Sequence, residues 1–211
     1  MMISSRKVGF YLLGIASIVV SACASEVSRS PRIDLARYGT IGMIEFSSNA
    51  ARELGPLASQ EFVAVIQSAQ PGVPILELGD ESRVLRSVQR HELDPETIHE
   101  IGKKYRVDAI VAGDLDTKGV RPEFSVDSEK HSMSASAYIE GSLSAKIFEA
   151  RSGATIWTNA ARGKETVAHV NLSTSRLPRL DAKNREDANG RLVQGLVARL
   201  TSDFWPHYEK Q

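Results

Sequence analysis

The sequence predicts an α/β fold: a mixed sheet with a parallel βαβ first half and an antiparallel hairpin, with helices packed across it. Three observations carry this. From Thr40 to Leu115, short apolar runs alternate with segments of helical spacing, the order that builds a parallel sheet. From Ala135 to Asn159, a period-2 run, a glycine turn and a second apolar run give the hairpin. From Arg185 to Phe204, one apolar stripe marks a helix laid across the sheet.

Thr40–Phe46 is the first apolar run and the first strand. Asn49–Ala69 follows as a helix, with Leu54, Leu57, Ala58, Phe62, Val65, Ile66 and Ala69 at helical spacing, and Pro71-Gly72 stops it. Val73–Leu78 is the second strand; Pro74 makes it start late or lie at an edge. Asp80 can cap a short helix carrying Val84, Leu85 and Val88, and Asp94 can cap another, with Pro95 at its first position. Val107–Leu115 is the clearest buried strand.

The pattern then changes. Every odd residue from Ala135 to Ile147 is Ala, Ile, Gly or Leu, while the even ones include Ser136, Glu140, Ser144 and Lys146, so one face of this strand is covered. Arg151-Ser152-Gly153 turns the chain into Ala154–Asn159. Leu192, Val193, Leu196, Val197, Leu200 and Phe204 form the stripe of the last helix. Two stretches read as loops: Asp116–Ser134, polar and charged, and Ala168–Lys183, long enough to be mobile or to bind something.

The beginning of the chain is of another kind. Arg6-Lys7 precedes an apolar run from Val8 to Val20, shorter than the roughly 20 residues that span a bilayer, as in a cleaved leader. Val20-Ser21-Ala22-Cys23 follows and resembles the lipobox of bacterial lipoproteins, where small residues precede a cysteine that is acylated before cleavage. Cys23 is the only cysteine, so an internal disulfide is closed to it. The expected organisation is a signal peptide over 1–22, a lipidated cysteine and flexible tether over 23–39, and a single periplasmic domain over 40–211. Sixteen tether residues reach about 55 Å at full stretch and about 20–25 Å as a coil. Ala24 after the cysteine implies, by the same resemblance, sorting to the outer membrane.

Charge excludes some partners. The chain has 26 basic and 26 acidic residues; losing Arg6 and Lys7 leaves 24 against 26, so nucleic acid is not an expected partner. The five histidines show no ligand spacing, no Gly-rich phosphate loop or Gly-x-Ser-x-Gly elbow occurs, and neither metal nor cofactor is expected. Glu45, Glu77, Asp114 and Asp116 fall near the carboxyl ends of the expected parallel strands, where α/β sheets bind ligands. Glu45, Asp114 and Asp116 are thus a candidate acidic cluster, and Asp114 with Asp116 could serve a hydrolase. As solvated strand ends or helix caps they need no such role, and no enzyme is expected.

Two longer motifs, IGKKYRVDAIVAGDL over 101–115 and AKIFEARSGATIW over 145–157, together with the lipobox, resemble one lipoprotein superfamily. It includes the curli secretion channel lipoprotein (CsgG) and the outer-membrane activator of penicillin-binding proteins (LpoB), with a periplasmic fold like the amino-terminal domain of TolB. The resemblance implies a lipid-anchored module that binds envelope proteins or itself, or an oligomeric subunit of a secretion or transport complex. Channel members insert transmembrane hairpins, whose strands alternate over about 9–11 residues. Asp116–Ser134, with Arg121, Glu123, Asp127, Glu129 and Lys130, alternates little, so no barrel is expected.

Overall fold

The computed structural model describes residues 27–50, 53–127, 132–171 and 182–209. In chain order these form β1 (Val27–Arg29), a 3-10 turn (Leu35–Tyr38), β2 (Ile41–Glu45), β3 (Ser47–Ser48), α1 (Leu54–Ala69) and β4 (Ile75–Asp80). Then come α2 (Glu81–Ser87), α3 (Pro95–Tyr105), β5 (Ala109–Asp127), β6 (Ser132–Glu149), β7 (Thr155–Asn171), α4 (Ala182–Leu200), a second 3-10 turn (Ser202–Phe204) and β8 (His207–Glu209). The main sheet runs β4-β2-β5-β6-β7, with β3 continuing β2 alongside β5. β2 is parallel to both β4 and β5, and β5-β6-β7 is antiparallel, as the two halves of the sequence predict. β4 is an edge strand and starts after Pro74, in keeping with the missing N–H of that proline.

The sheet is covered unequally. On one face α1 and α4 bury Phe46, Phe62, Leu143, Ile147, Leu192, Leu196 and Phe204. Phe62 stands edge-on to both Phe46 and Phe204, and Trp157 leans on Phe204 at 4.9 Å. Gly141 and Gly163 lie opposite each other on β6 and β7, and a Cβ on either would come within 3.1–3.2 Å of Leu192, so the pair sets how closely α4 can lie. On the other face α2 and α3 bury Ile44, Leu78, Val84, Ile98, Ile101 and Ile110. The caps are as predicted: Asp80 accepts from Arg83 N at 2.9 Å and Asp94 from Thr97 N at 2.7 Å.

Four expectations change. The first helix starts at Leu54 and not at Asn49, because Asn49 is engaged elsewhere. Its side chain accepts from Thr117 N at 2.9 Å and donates to Asp116, tying the end of β3 to β5. The tether is docked over its second half: Ile33 and Leu35 are buried in the core, and Gln70 holds them from the end of α1. Gln70 accepts from Leu35 N at 2.8 Å and donates to the carbonyls of Ile33 and Phe204 at 2.7 and 3.0 Å. Ahead of them β1 pairs antiparallel with β8.

Asp116–Ser134 is not a loop over most of its length. β5 and β6 remain paired out to Asp127 and Ser132. Ala168–Lys183 contributes the end of β7 through Asn171 and the start of α4 at Ala182, and residues 172–181 lie outside those described. Residues 1–26, with Val20, Ser21, Ala22 and Cys23, also lie outside the described residues.

Candidate functional site

The long strands change setting at the level of Ile139. Up to Lys118, paired with Glu140, the odd residues of β5 face α1 and α4, and Ala109, Val111 and Leu115 are buried there. The next register pair is Arg121 with Tyr138, so Gly119 and Val120 together oppose Ile139 in a β-bulge. β7 does the same: Ala137 pairs with Ala168 and Tyr138 with Thr166, leaving Val167 as the extra residue. Both outer strands slip by one residue at the same height, and β6 runs straight through.

Beyond the bulges the three strands form an arm. Because the side-chain period is two, each slip reverses the parity of its strand. On the face continuous with the α1/α4 core the register places Pro122 and Phe124 of β5, Ala137 of β6 and Ala168 of β7. The opposite face receives Arg121 and Glu123 beside Tyr138 and Ser136. The arm is therefore amphipathic. Phe124 is 68% exposed, the most open of the large apolar side chains among the described residues. On the polar face Lys164 lies 3.6 Å above the Tyr138 ring and donates to Glu123 at 2.8 Å. That hydrogen bond raises the Lys164 ammonium above the ordinary lysine range.

At the root of the arm lies a cleft of about 1380 Å³. Its floor is Val120, Ile139 and Val167, its walls Leu54 and Leu57 of α1 and Asn189 of α4. The two bulges thus form part of the floor, and the apolar surface passes from the cleft onto the arm.

The expected acidic cluster is divided by the sheet. Glu45 lies with Glu77 in a cleft of about 260 Å³ on the α1 face, beside Ser59 and Gln60. Asp114 and Asp116 register with Ser144 and Ser142 on the other face. Asp114 accepts from Ser144 Oγ at 3.0 Å, and Asp116 from Asn49. Asp116 also lines a polar cleft with Lys118, Arg162 and Arg199. Glu45 is therefore not brought together with the other two. Among the described residues no three His, Cys, Asp or Glu side chains are grouped so as to hold a metal ion. No described helix is long and apolar enough to cross a membrane.

The sequence reading missed the arm. Its signal is present in two pieces, odd-apolar to Leu115 and even-apolar from Pro122, which cancel when read in one phase.

The sequence matches no family model and no curated protein. Among solved structures it is similar to the PelC dodecamer from Paraburkholderia phytofirmans at 12% identity, covering 87% of this chain and 98% of that one, TM-score 0.45. A putative neuraminyllactose-binding hemagglutinin homolog from Helicobacter pylori is similar at 12% identity over 83% and 90% of the two chains, TM-score 0.46. The LpoB C-terminal domain from Salmonella enterica is similar at 7% identity over 60% and 82%, TM-score 0.36. Bacterial lipoproteins recur among such neighbours. At these scores the likenesses fix neither a family nor a role.

Proposed function

We propose that this chain is an outer-membrane lipoprotein, held by acyl chains on Cys23 and recognised for processing through Val20, Ser21 and Ala22. Its periplasmic domain binds other envelope proteins, or further copies of itself, and catalyses no reaction. One observation carries the binding role: an apolar surface runs from the cleft floor onto an arm that carries the exposed Phe124. Exposed apolar surface of this kind is retained where a partner covers it. The lipobox supports the anchor, and no cofactor, metal or nucleic acid is required.

A second reading is a subunit of an oligomeric secretion or transport complex. It is favoured by the edges of the arm. Among the described residues β5 beyond Leu115 has only β6 as a neighbour, and β7 has only β6, so the arm presents an edge on either side that could accept a strand.

The test places a photo-crosslinking residue at Phe124 in the membrane-anchored protein, with a control at Leu76, exposed on the opposite edge of the sheet. After irradiation in cells and mild solubilisation, mass spectrometry identifies what is attached. A distinct envelope protein at position 124 makes this an accessory lipoprotein. Crosslinks to itself in one defined size support the oligomeric assembly. A position 124 that crosslinks no more than position 76 removes the arm as the contact surface.

A further inference from the structure

We infer that the pole of the domain opposite the arm is a membrane-docking surface for anionic phospholipid headgroups, so that the arm points away from the leaflet that anchors the chain. The inference rests on the acylation of Cys23 proposed above.

The first observation is where the chain enters. Arg32 pairs with Asp203 at 3.3 Å, and Ile33 N donates to Asp203 O at 3.4 Å. Asp203 in turn accepts from Trp157 Nε1 at 3.3 Å, and Trp157 is level with Ile147 and Val111 near the start of β5. The entry point is therefore at the lower end of the sheet. The nine residues from Ala24 to Arg32 span at most about 30 Å. From Val111 to the arm tip at Asp127 is about 50 Å of strand. An acyl chain on Cys23 reaches the lower pole readily and the tip not at all.

The second observation is the charge at that pole. A cleft of about 520 Å³ there is lined by Arg37, His99, Lys103, Asp108, Glu149 and Arg151. Arg106 ends α3 beside it in the left-handed conformation, and Arg32 and Arg37 are 73% and 79% exposed. The neighbouring carboxylates are already engaged within the protein. Asp108 accepts from Thr40 N at 2.9 Å, Glu149 from Ser152, Asp34 from Ala36 N and Arg37, and Asp203 from Trp157 and Arg32. Among the described residues Lys103, Arg106 and Arg151 form no ion pair, which leaves them for phosphate. Trp205, 41% exposed, follows directly on Phe204 and adds the residue type that settles at a headgroup boundary.

The arm fits a bilayer poorly. After its bulge the described part of β5 offers seven residues, Arg121 to Asp127, against the 9–11 that cross an outer membrane. Its apolar face carries Pro122, Ala137 and Ala168 beside Phe124.

Because Cys23 is the sole native cysteine and would be acylated, an engineered cysteine is a unique labelling site. Lipidated protein carrying Ser152→Cys at the lower pole, or Phe124→Cys on the arm, is labelled with an environment-sensitive fluorophore. It is then reconstituted in phosphatidylethanolamine–phosphatidylglycerol vesicles with brominated acyl chains. The expected result is strong quenching at 152 and none at 124. Reversing Lys103, Arg106 and Arg151 to Glu should cut the quenching at 152 while intact mass shows acylation unchanged. Quenching at 124 with none at 152, or at neither position in acylated protein, overturns the orientation and leaves the anchor standing. An intact mass without acyl chains overturns the anchor, and the orientation with it.

Discussion

The lower and upper halves of β5, β6 and β7 are the same three strands in two environments. Below Ile139 they carry Val111, Leu115, Leu143, Ile147 and Trp157 against α1 and α4, nearly closed to solvent. Above it Phe124 is 68% exposed. Backbone pairing is continuous through both halves apart from the two bulges at the arm's root and one irregularity near Phe148, so hydrogen bonding does not distinguish them. The difference is side-chain burial. The lower half contributes to stability, whereas the upper half is extended structure whose apolar face leaves Phe124 open to solvent. A sheet can therefore be carried well past its own core if the ladder is intact and one face is polar.

The sharpest way to break this comparison is to cut into each half. Ile110→Ala or Leu196→Ala, both fully buried, should each lose about 2–5 kcal/mol in urea unfolding. Phe124→Ala should stay within about 0.5 kcal/mol of the parent. A loss at Phe124 as large as at Ile110 would mean that the arm packs within the molecule, and the distinction would fail.

A smaller effect is expected where the entering chain joins the lower half. Gln70→Ala strands Leu35 N–H and two carbonyls in a partly buried position and should cost about 1–3 kcal/mol. It should also raise protease sensitivity between Arg32 and Tyr38, read by limited digestion. Unchanged cleavage would show that Ile33 and Leu35 hold the segment without it.

The smallest effects belong to the helix caps, which lie outside the contrast and calibrate it. Asp80→Ala should cost at most about 1 kcal/mol, since the carboxylate is exposed. The hydrogen bond from Ser82 Oγ, then that from Arg83 N, holds the Asp80 carboxyl below the usual aspartate range. Thr97 N does the same for Asp94. With folded values below unfolded ones, the unfolded chain takes up protons first as pH falls. This stabilisation is complete above about pH 4–5 and is lost as pH drops through the lowered values. Asp80→Asn with Asp94→Asn keeps the caps without titrating, so its melting temperature should fall less between neutral pH and about pH 3. Parallel decline of parent and variant would remove the caps as a source of acid sensitivity.

What could be read from the sequence follows the same division. β6 was legible from Ala135 onward because it is the strand without a bulge at the arm's root, so one parity serves both body and arm. The caps Asp80 and Asp94 were legible because capping is local. The start of α1 was not, since Asn49 is drawn off by Thr117 and Asp116, contacts 67–68 residues away. The candidate site was the least legible part. Its cleft floor takes one residue from each of three strands, and the acidic residues that looked convergent are held on opposite faces of the sheet.

The paired bulges also constrain how this protein can be lengthened or shortened. Deleting Gly119 or Val120 would leave one residue opposite Ile139, with Arg121 still opposite Tyr138 and Phe124 on its present face, and would remove only the bulge. The same holds at Val167 on β7. A single deletion beyond the bulge in either outer strand would instead move every later residue to the opposite face, and a matched deletion in the other strand would not restore it, since both strands are in register with β6. Single-residue changes in length are therefore absorbed at the bulges, whereas beyond them the outer strands can change only in steps of two, with Ile139 the fixed point from which the count begins.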